Sequence, residues 1–113
     1  MSQEVTPEKF AQVEMRVGKI LKVEDFPEAR RPSYKLWIDF GEEIGVKKSS
    51  AAIRLFYTKE ELRGRQVIAV VNFPPKQIAN FLSEVLVLAA VNSDGKTILL
   101  GPDEEAELGA RIA

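Results

Sequence analysis

The sequence of 113 residues contains no cysteine and no histidine. Without cysteine there is no disulfide, no thiolate nucleophile and no zinc–sulfur site. Without histidine, the usual general base near neutral pH and the commonest metal ligand are also missing. There is no G-x-S-x-G elbow, no P-loop and no dinucleotide fingerprint. Asp39 with Glu42 or Glu43 comes nearest to a carboxylate pair, but acids beside a glycine turn read as a solvated loop. The expectation is a protein that is not an enzyme and carries no cofactor and no metal. No apolar run is long enough to span a bilayer, and the opening MSQEVTPEKF lacks the layout of a signal peptide. Stable membrane insertion is therefore not expected, and a cytoplasmic location fits.

An excess of either charge is lacking too. Sixteen Lys and Arg stand against seventeen Asp and Glu, for a net charge of −1. That balance argues against dominant nonspecific binding of nucleic acid, which needs a basic footprint. The average hides local asymmetry. Arg30, Arg31 and Lys35 cluster, as do Lys47 and Lys48, then Arg63 and Arg65, with Lys76 alone further on. The acids Asp103, Glu104, Glu105 and Glu107 gather near the end.

What is present is short, β-rich patterning in a chain of one-domain size. Thr6-Pro7-Glu8 reads as a helix start, carrying Phe10 and Val13 against the domain body or a second subunit. From Val13 to Val23 the odd positions Val13, Met15, Val17, Leu21 and Val23 are apolar, which predicts a long strand with one buried face. Gly18 inside it marks a bulge, a bend or a close approach. Residues 26–33 form a loop, and residues 34–40 alternate again, with Lys35, Trp37 and Asp39 on the face away from Tyr34, Leu36 and Ile38. After a turn at Gly41–Gly45, a third strand is predicted through Ala51, Ile53 and Leu55. Thr58 and Glu61 have capping-box spacing for a short helix ended by Gly64. Val67–Val71 and Val85–Val91 read as strands covered on both faces. Between them Pro75–Leu82 reads as one or two helical turns. Asn92-Ser-Asp-Gly signals a hairpin, followed by a strand at Thr97–Leu100. The whole predicts an all-β fold: a five-stranded OB-fold barrel with short helices at the N-terminus and between strands three and four.

Several stretches together resemble the tRNA-binding domain family, found free-standing and appended to methionyl- and bacterial phenylalanyl-tRNA synthetases. They are Arg16-Val17-Gly18-Lys19-Ile20, Glu61-Leu62-Arg63-Gly64-Arg65 with Val70-Val71-Asn72, and Ser83-Glu84 with Leu86-Val87-Leu88. Synthetase-type members carry His-Pro-x-Ala-Asp-Lys-Leu after the first strand. Here Phe26 replaces the histidine and a short insertion, Arg30 to Tyr34, separates Ala29 from Lys35-Leu36. The stretches ARRPSYKLWIDFG, GVKKSSA, VNFPPKQIA and SEVLVL resemble the CsaA-type branch, bacterial chaperones associated with protein export. That resemblance implies a cytoplasmic OB-fold homodimer that binds unfolded or presecretory polypeptide; the alternative is a structure-specific tRNA binder.

The candidate ligand-binding residues follow from both readings. Arg30, Arg31 and Lys35 belong to the first inter-strand loop and the strand after it, where OB-fold ligands meet the barrel; a solvated loop is the plainer reading. Lys47 and Lys48 are read the same way. Trp37 serves as a stacking platform or as part of a dimer interface. Phe73 and Lys76 are candidates at the tip of the connection. Asn72, Ser83 and Glu84 offer donors and acceptors at a barrel mouth, or satisfy backbone ends around Pro74-Pro75. The residues 1–113 are expected to form a single domain, with the N-terminal helix and the apolar tail residues Leu108 and Ile112 in a dimer interface. The chain's start and finish look complete, which argues against a mere dimerisation piece of a larger enzyme.

Overall fold

The computed structural model describes residues 3–113. Its central strand, β1 (Met15–Asp25), has a neighbour on each edge: β2 (Tyr34–Asp39) along its second half and β4 (Gln66–Val70) along its first. With β3 (Val46–Ala51) beside β2 and β7 (Leu86–Val87) beside β4, the strands form one five-stranded sheet in the order β3-β2-β1-β4-β7, antiparallel throughout. The sheet curls into a nearly closed barrel of the OB type. Its core holds Ile20, Leu36, Ile38, Phe40, Ile53, Leu62 and Val67, each almost fully removed from solvent.

The curl is produced in β1. Pairing with β2 slips between Ile20 and Lys22, a bulge that reverses the alternation. Ile20 and Val23 both point inward, and Leu21, expected on the buried face, is 48% exposed. Gly18 sits where the barrel wall is tightest: a Cβ there would stand 2.5 Å from Ile38 Cγ2 and 2.6 Å from Phe40 Cε1. The close approach expected of this glycine is therefore real, and the irregularity in pairing falls just beyond it. Upstream of β2's reach, the tail takes over that edge of β1. Val17 N–H donates to the Ala110 carbonyl, Gly109 N–H to the Val17 carbonyl and Ile112 N–H to the Met15 carbonyl. Leu108 and Ile112 are thus half-buried along their own chain.

Both short helices form where capping chemistry placed them. In α1 (Pro7–Gln12) the Thr6 hydroxyl accepts from Lys9 N–H, but no helix residue is buried and Phe10 is 46% exposed. In α2 (Lys59–Leu62) the Thr58 and Glu61 side chains cap each other's backbone, and Leu62 drops into the core. The hydrogen bond from Thr58 N–H, helped by the Thr58 hydroxyl, holds the Glu61 carboxyl below its usual range.

Three expectations need correction. The third strand is Val46–Ala51, and residues 54–56 form a turn instead of continuing it. Pro75–Leu82 is not helical: β5 (Lys76–Ile78) and β6 (Phe81–Ser83) make a hairpin around Ala79-Asn80. Pro74-Pro75 enforces extended backbone on entry, and burial of Phe81 outweighs the helix propensity of Gln77-Ile78-Ala79. The turn places Ala79 at φ 51°, in the left-handed region. Last, Val85–Val91 is not one strand covered on both faces. It breaks at Leu88 into β7 and β8 (Ala89–Val91), which leaves the barrel to pair with β9 (Thr97–Leu99). Leu86, Val91, Ile98 and Leu100 consequently lie exposed. The Asn92–Gly95 turn between β8 and β9 forms as predicted, with Gly95 N–H donating to the Asn92 carbonyl.

Two backbone positions test this account. Gly18→Ala overfills the wall against Ile38 and Phe40 and is expected to cost about 2 kcal/mol, read as a lower urea midpoint at unchanged slope. Ala79→Gly relieves the left-handed alanine and is expected to raise stability by roughly 0.5 kcal/mol. A loss of stability in this second variant would contradict a strained turn.

Candidate functional site

The outer face of β2 carries Lys35, Trp37 and Asp39. Register places Lys22 of β1 and Lys48 of β3 on either side of Trp37, and Ser50 beside Lys35. Residues directly opposite in antiparallel strands share a face, so these side chains form one surface outside the barrel. The β5–β6 hairpin folds over part of it. Phe81 enters edge-to-face with Trp37 at 6.0 Å and with Phe26 at 5.4 Å between ring centroids. Phe26 and Phe81 are buried, outside the barrel core, in a second small apolar cluster.

Lysines border that cluster. Lys22 Nζ lies 4.5 Å from the Trp37 ring centre, Lys35 Nζ 5.0 Å from Phe26 and 5.4 Å from Phe81, and Lys48 Nζ 5.3 Å from Phe81. The negative ring faces hold the ammonium groups without neutralising them. Lys22 also pairs with Glu24 at 3.0 Å. Among the described residues neither Lys35 nor Lys48 has a carboxylate within 4.0 Å. Two acids share this face: Glu24 stands opposite Lys35 and is paired with Lys22, while Asp39 accepts from Gly41 N–H at 2.9 Å and closes the β2–β3 turn. The surface thus presents unpaired cations on an aromatic floor, suited to carboxylates, carbonyls or phosphates.

Beside it, the connection from 72 to 84 closes the barrel. Glu84 Oε1 accepts from Lys48 N–H at 2.9 Å, and Glu84 N–H donates to the Lys48 carbonyl at 2.8 Å. Ser83 Oγ accepts from Ser50 N–H at 3.0 Å, and Ser49 Oγ donates to the Val85 carbonyl at 3.1 Å. These side chains finish the seam between β3 and the chain entering β7, where a continuous backbone ladder is lacking. Asn72 clamps the other end, accepting from Glu14 N–H and donating to the Gln12 carbonyl, so it ties the exit of α1 to β4. The polar groups of Asn72, Ser83 and Glu84 are thus engaged with backbone, at partners beyond the Pro74-Pro75 turn. Over the seam opens a cleft of about 250 Å³, walled by Phe73, Pro74, Ile78 and Leu86, with Ser50, Lys76, Ser83 and Glu84 at its polar side.

The structure therefore brings Lys35, Trp37 and Lys48 together on one face, and Phe73, Lys76, Ser83 and Glu84 around the neighbouring cleft. Arg30 and Arg31 remain exposed in the loop before β2. Lys47 stands opposite Ile38 and so points to the core side of β3, away from Lys48. Three residues of the surface escaped sequence reading. Lys22 meets Trp37 only through the bulged register, Phe26 reads as loop, and Phe81 hides in a stretch that looks helical. A larger cleft of about 500 Å³ lies elsewhere, lined by Lys19, Arg65 and Gln66 against Asp103, Glu104 and Glu105. Its charges oppose each other across the opening, and Gln66 is committed to both backbone groups of Ala106. Among the described residues no group of three or more carboxylates is placed to hold a metal ion, and no helix is long and apolar enough to cross a membrane.

A barrel of this topology with a basic, aromatic outer face can be compared with known proteins. The family described as "Putative tRNA binding domain" matches residues 15–111. The chain belongs to this family. Among solved structures, the chain is similar to the CsaA chaperone protein from Picrophilus torridus, 55% identical, with a TM-score of 0.91 over 97% of this chain and all of that one. The chaperone CsaA from Bacillus anthracis is 46% identical, with a TM-score of 0.92 over 98% of this chain and all of that one. The tRNA-binding domain also occurs within larger proteins: the methionine–tRNA ligase of Thermococcus kodakarensis is 40% identical over 109 residues, 96% of this chain but 14% of the ligase. The similarity to that ligase thus covers only a small part of it.

The seam makes a prediction. Glu84→Ala strands the Lys48 N–H and is expected to cost about 1–2 kcal/mol, whereas Glu84→Gln keeps an acceptor oxygen and recovers most of it. Urea unfolding of both variants measures this. Equal losses would mean that charge, and not the seam hydrogen bond, is what Glu84 contributes.

Proposed function

We propose that the chain acts as a CsaA-like homodimeric chaperone, binding extended segments of unfolded precursor polypeptides in the cytoplasm before export. The observation that carries this reading is the juxtaposition of an apolar cleft with a lysine-bordered aromatic surface. Unfolded chains expose apolar side chains beside carbonyls and carboxylates, and the two halves of the site match those two needs. The full-length likeness to two CsaA chaperones supports it. With no P-loop in the sequence, binding and release proceed without nucleotide hydrolysis. The residues 1–113 act as one domain. Exposed Val5 and Phe10 by the N-terminal helix, Ile98 on β9 and Leu100 just after it supply apolar surface for the dimer, joined by the tail.

A second reading, structure-specific binding of tRNA, is favoured by the unpaired Lys35 and Lys48 and the exposed Arg30-Arg31. In a dimer two such patches would grip the RNA backbone. The readings differ in salt dependence. Neutralising several phosphates releases counterions and makes affinity fall steeply with salt; burial of apolar segments does not.

Light scattering at micromolar concentration is expected to return twice the chain mass of 12.6 kDa. An unfolded presecretory protein is expected to bind with little change between low and physiological salt, and its aggregation to slow. Affinity for tRNA only, collapsing over the same salt range, would replace the first reading by the second.

A further inference from the structure

The two halves of the site stand at a fixed spacing. Ser50 lines the cleft and Lys48 lies against Phe81, both on the outer face of β3. Two residues along a strand span about 7 Å, which is also the distance between side chains i and i+2 of an extended ligand running beside it. The cleft, with Phe73, Pro74, Ile78 and Leu86 for walls, is about 250 Å³ and has room for one large apolar side chain. Ser83 Oγ and Glu84 Oε1 are already engaged by Ser50 and Lys48 N–H, so the apolar walls do most of the selecting, by shape. Next to it, Lys35 and Lys48 both border the Phe81 ring with no carboxylate partner among the described residues.

We infer that the site takes an extended polypeptide segment in which a bulky apolar residue and an acidic residue stand two positions apart. The apolar side chain fills the cleft and the carboxylate meets Lys48 and Lys35. This rests on the polypeptide-binding reading and narrows it. Charge complementarity selects acidic over basic neighbours, so the basic start of an export signal is disfavoured and apolar–acidic segments elsewhere in a client are preferred. The cleft itself is lined by one acid, Glu84, and one cation, Lys76, so its own charges offset each other, and the cationic excess lies further along, at Lys48 and Lys35.

Calorimetric titration of the full chain with nine-residue peptides on a Gly-Ser background tests this. The reference peptide carries Phe-Ser-Asp at its centre. Replacing its Phe by Ala is expected to weaken binding about tenfold. Replacing its Asp by Lys, or moving the Asp next to the Phe, is expected to weaken it about fivefold. Phe73→Ala, at an exposed position, should reproduce the loss of the Phe contact. Lys48→Glu should reverse the preference between the Asp and Lys peptides, with Lys35→Glu as a second charge reversal, and circular dichroism checks that each variant folds. An unchanged Asp-to-Lys ratio in both charge variants overturns the inference. If an unfolded precursor protein binds but the peptides show no preference, the inference falls and the chaperone reading stands. If neither precursor nor peptide binds, while tRNA binds and Lys48→Glu weakens it, both fall.

Discussion

Closure of the barrel depends on a seam that the backbone does not complete. Strand β3 has β2 on one edge; on the other, side-chain oxygens of Ser83 and Glu84 take the amide hydrogens of Ser50 and Lys48. A buried or half-buried amide left unpaired costs more than a hydrogen bond contributes, so these contacts decide whether the curled sheet stays shut. The same contacts orient the candidate site. They pin the β5–β6 hairpin across the outer face of β3, which seats Phe81 on Trp37 and Phe26 and leaves the apolar cleft above Ser50. Stability and the site therefore share residues. A substitution at Ser83 or Glu84 changes both, and only conservative variants separate the two.

The lysine-bordered face shows how cations are kept available. A lysine beside an acid spends its charge on an ion pair that is weak at a surface. Here Asp39 is diverted to the Gly41 amide, while Lys35 and Lys48 rest against ring faces. Ring contact orders a long side chain without cancelling its charge. A protein with a net charge of −1 can thus present a local cationic surface, with acids gathered at 103–107 elsewhere on the chain. A basic, aromatic outer face of an OB barrel has the chemistry to meet carboxylates, peptide carbonyls and phosphates alike.

Several parts of the fold were legible in sequence because they are local. Thr6-Pro7 and the Thr58–Glu61 box name helix starts through hydrogen bonds spanning three residues. Asn92–Gly95 names its turn, and residues 34–39 name a strand by alternation. The failures have a common cause. Pro75–Leu82 holds helix-forming residues, yet Phe81 gains more by packing on Trp37 and Phe26 than the segment gains as a helix. Leu21 follows the apolar alternation, yet the inward face of this part of β1 belongs to Gly18 and Ile20, and only the bulge between Ile20 and Lys22 brings the odd-numbered Val23 inward. Val85–Val91 reads as doubly covered because β-branched runs look alike whether or not a second layer arrives.

The site divides along the same line. By itself the sequence determined the chemistry available: no histidine or cysteine, clustered lysines and arginines, one tryptophan between opposite charges, and a proline-bearing connection rich in polar residues. It also determined the family, through motifs spread in order along the chain. Only the tertiary structure decided which of those residues meet. It set Lys48 beside Trp37 and sent Lys47 to the other face. It engaged Asn72, Ser83 and Glu84 with backbone, and recruited Lys22, Phe26 and Phe81. The physical reason is register. Side-chain direction in a strand alternates residue by residue, so one bulge or one hairpin, fixed by packing far away in sequence, decides which face every later residue occupies.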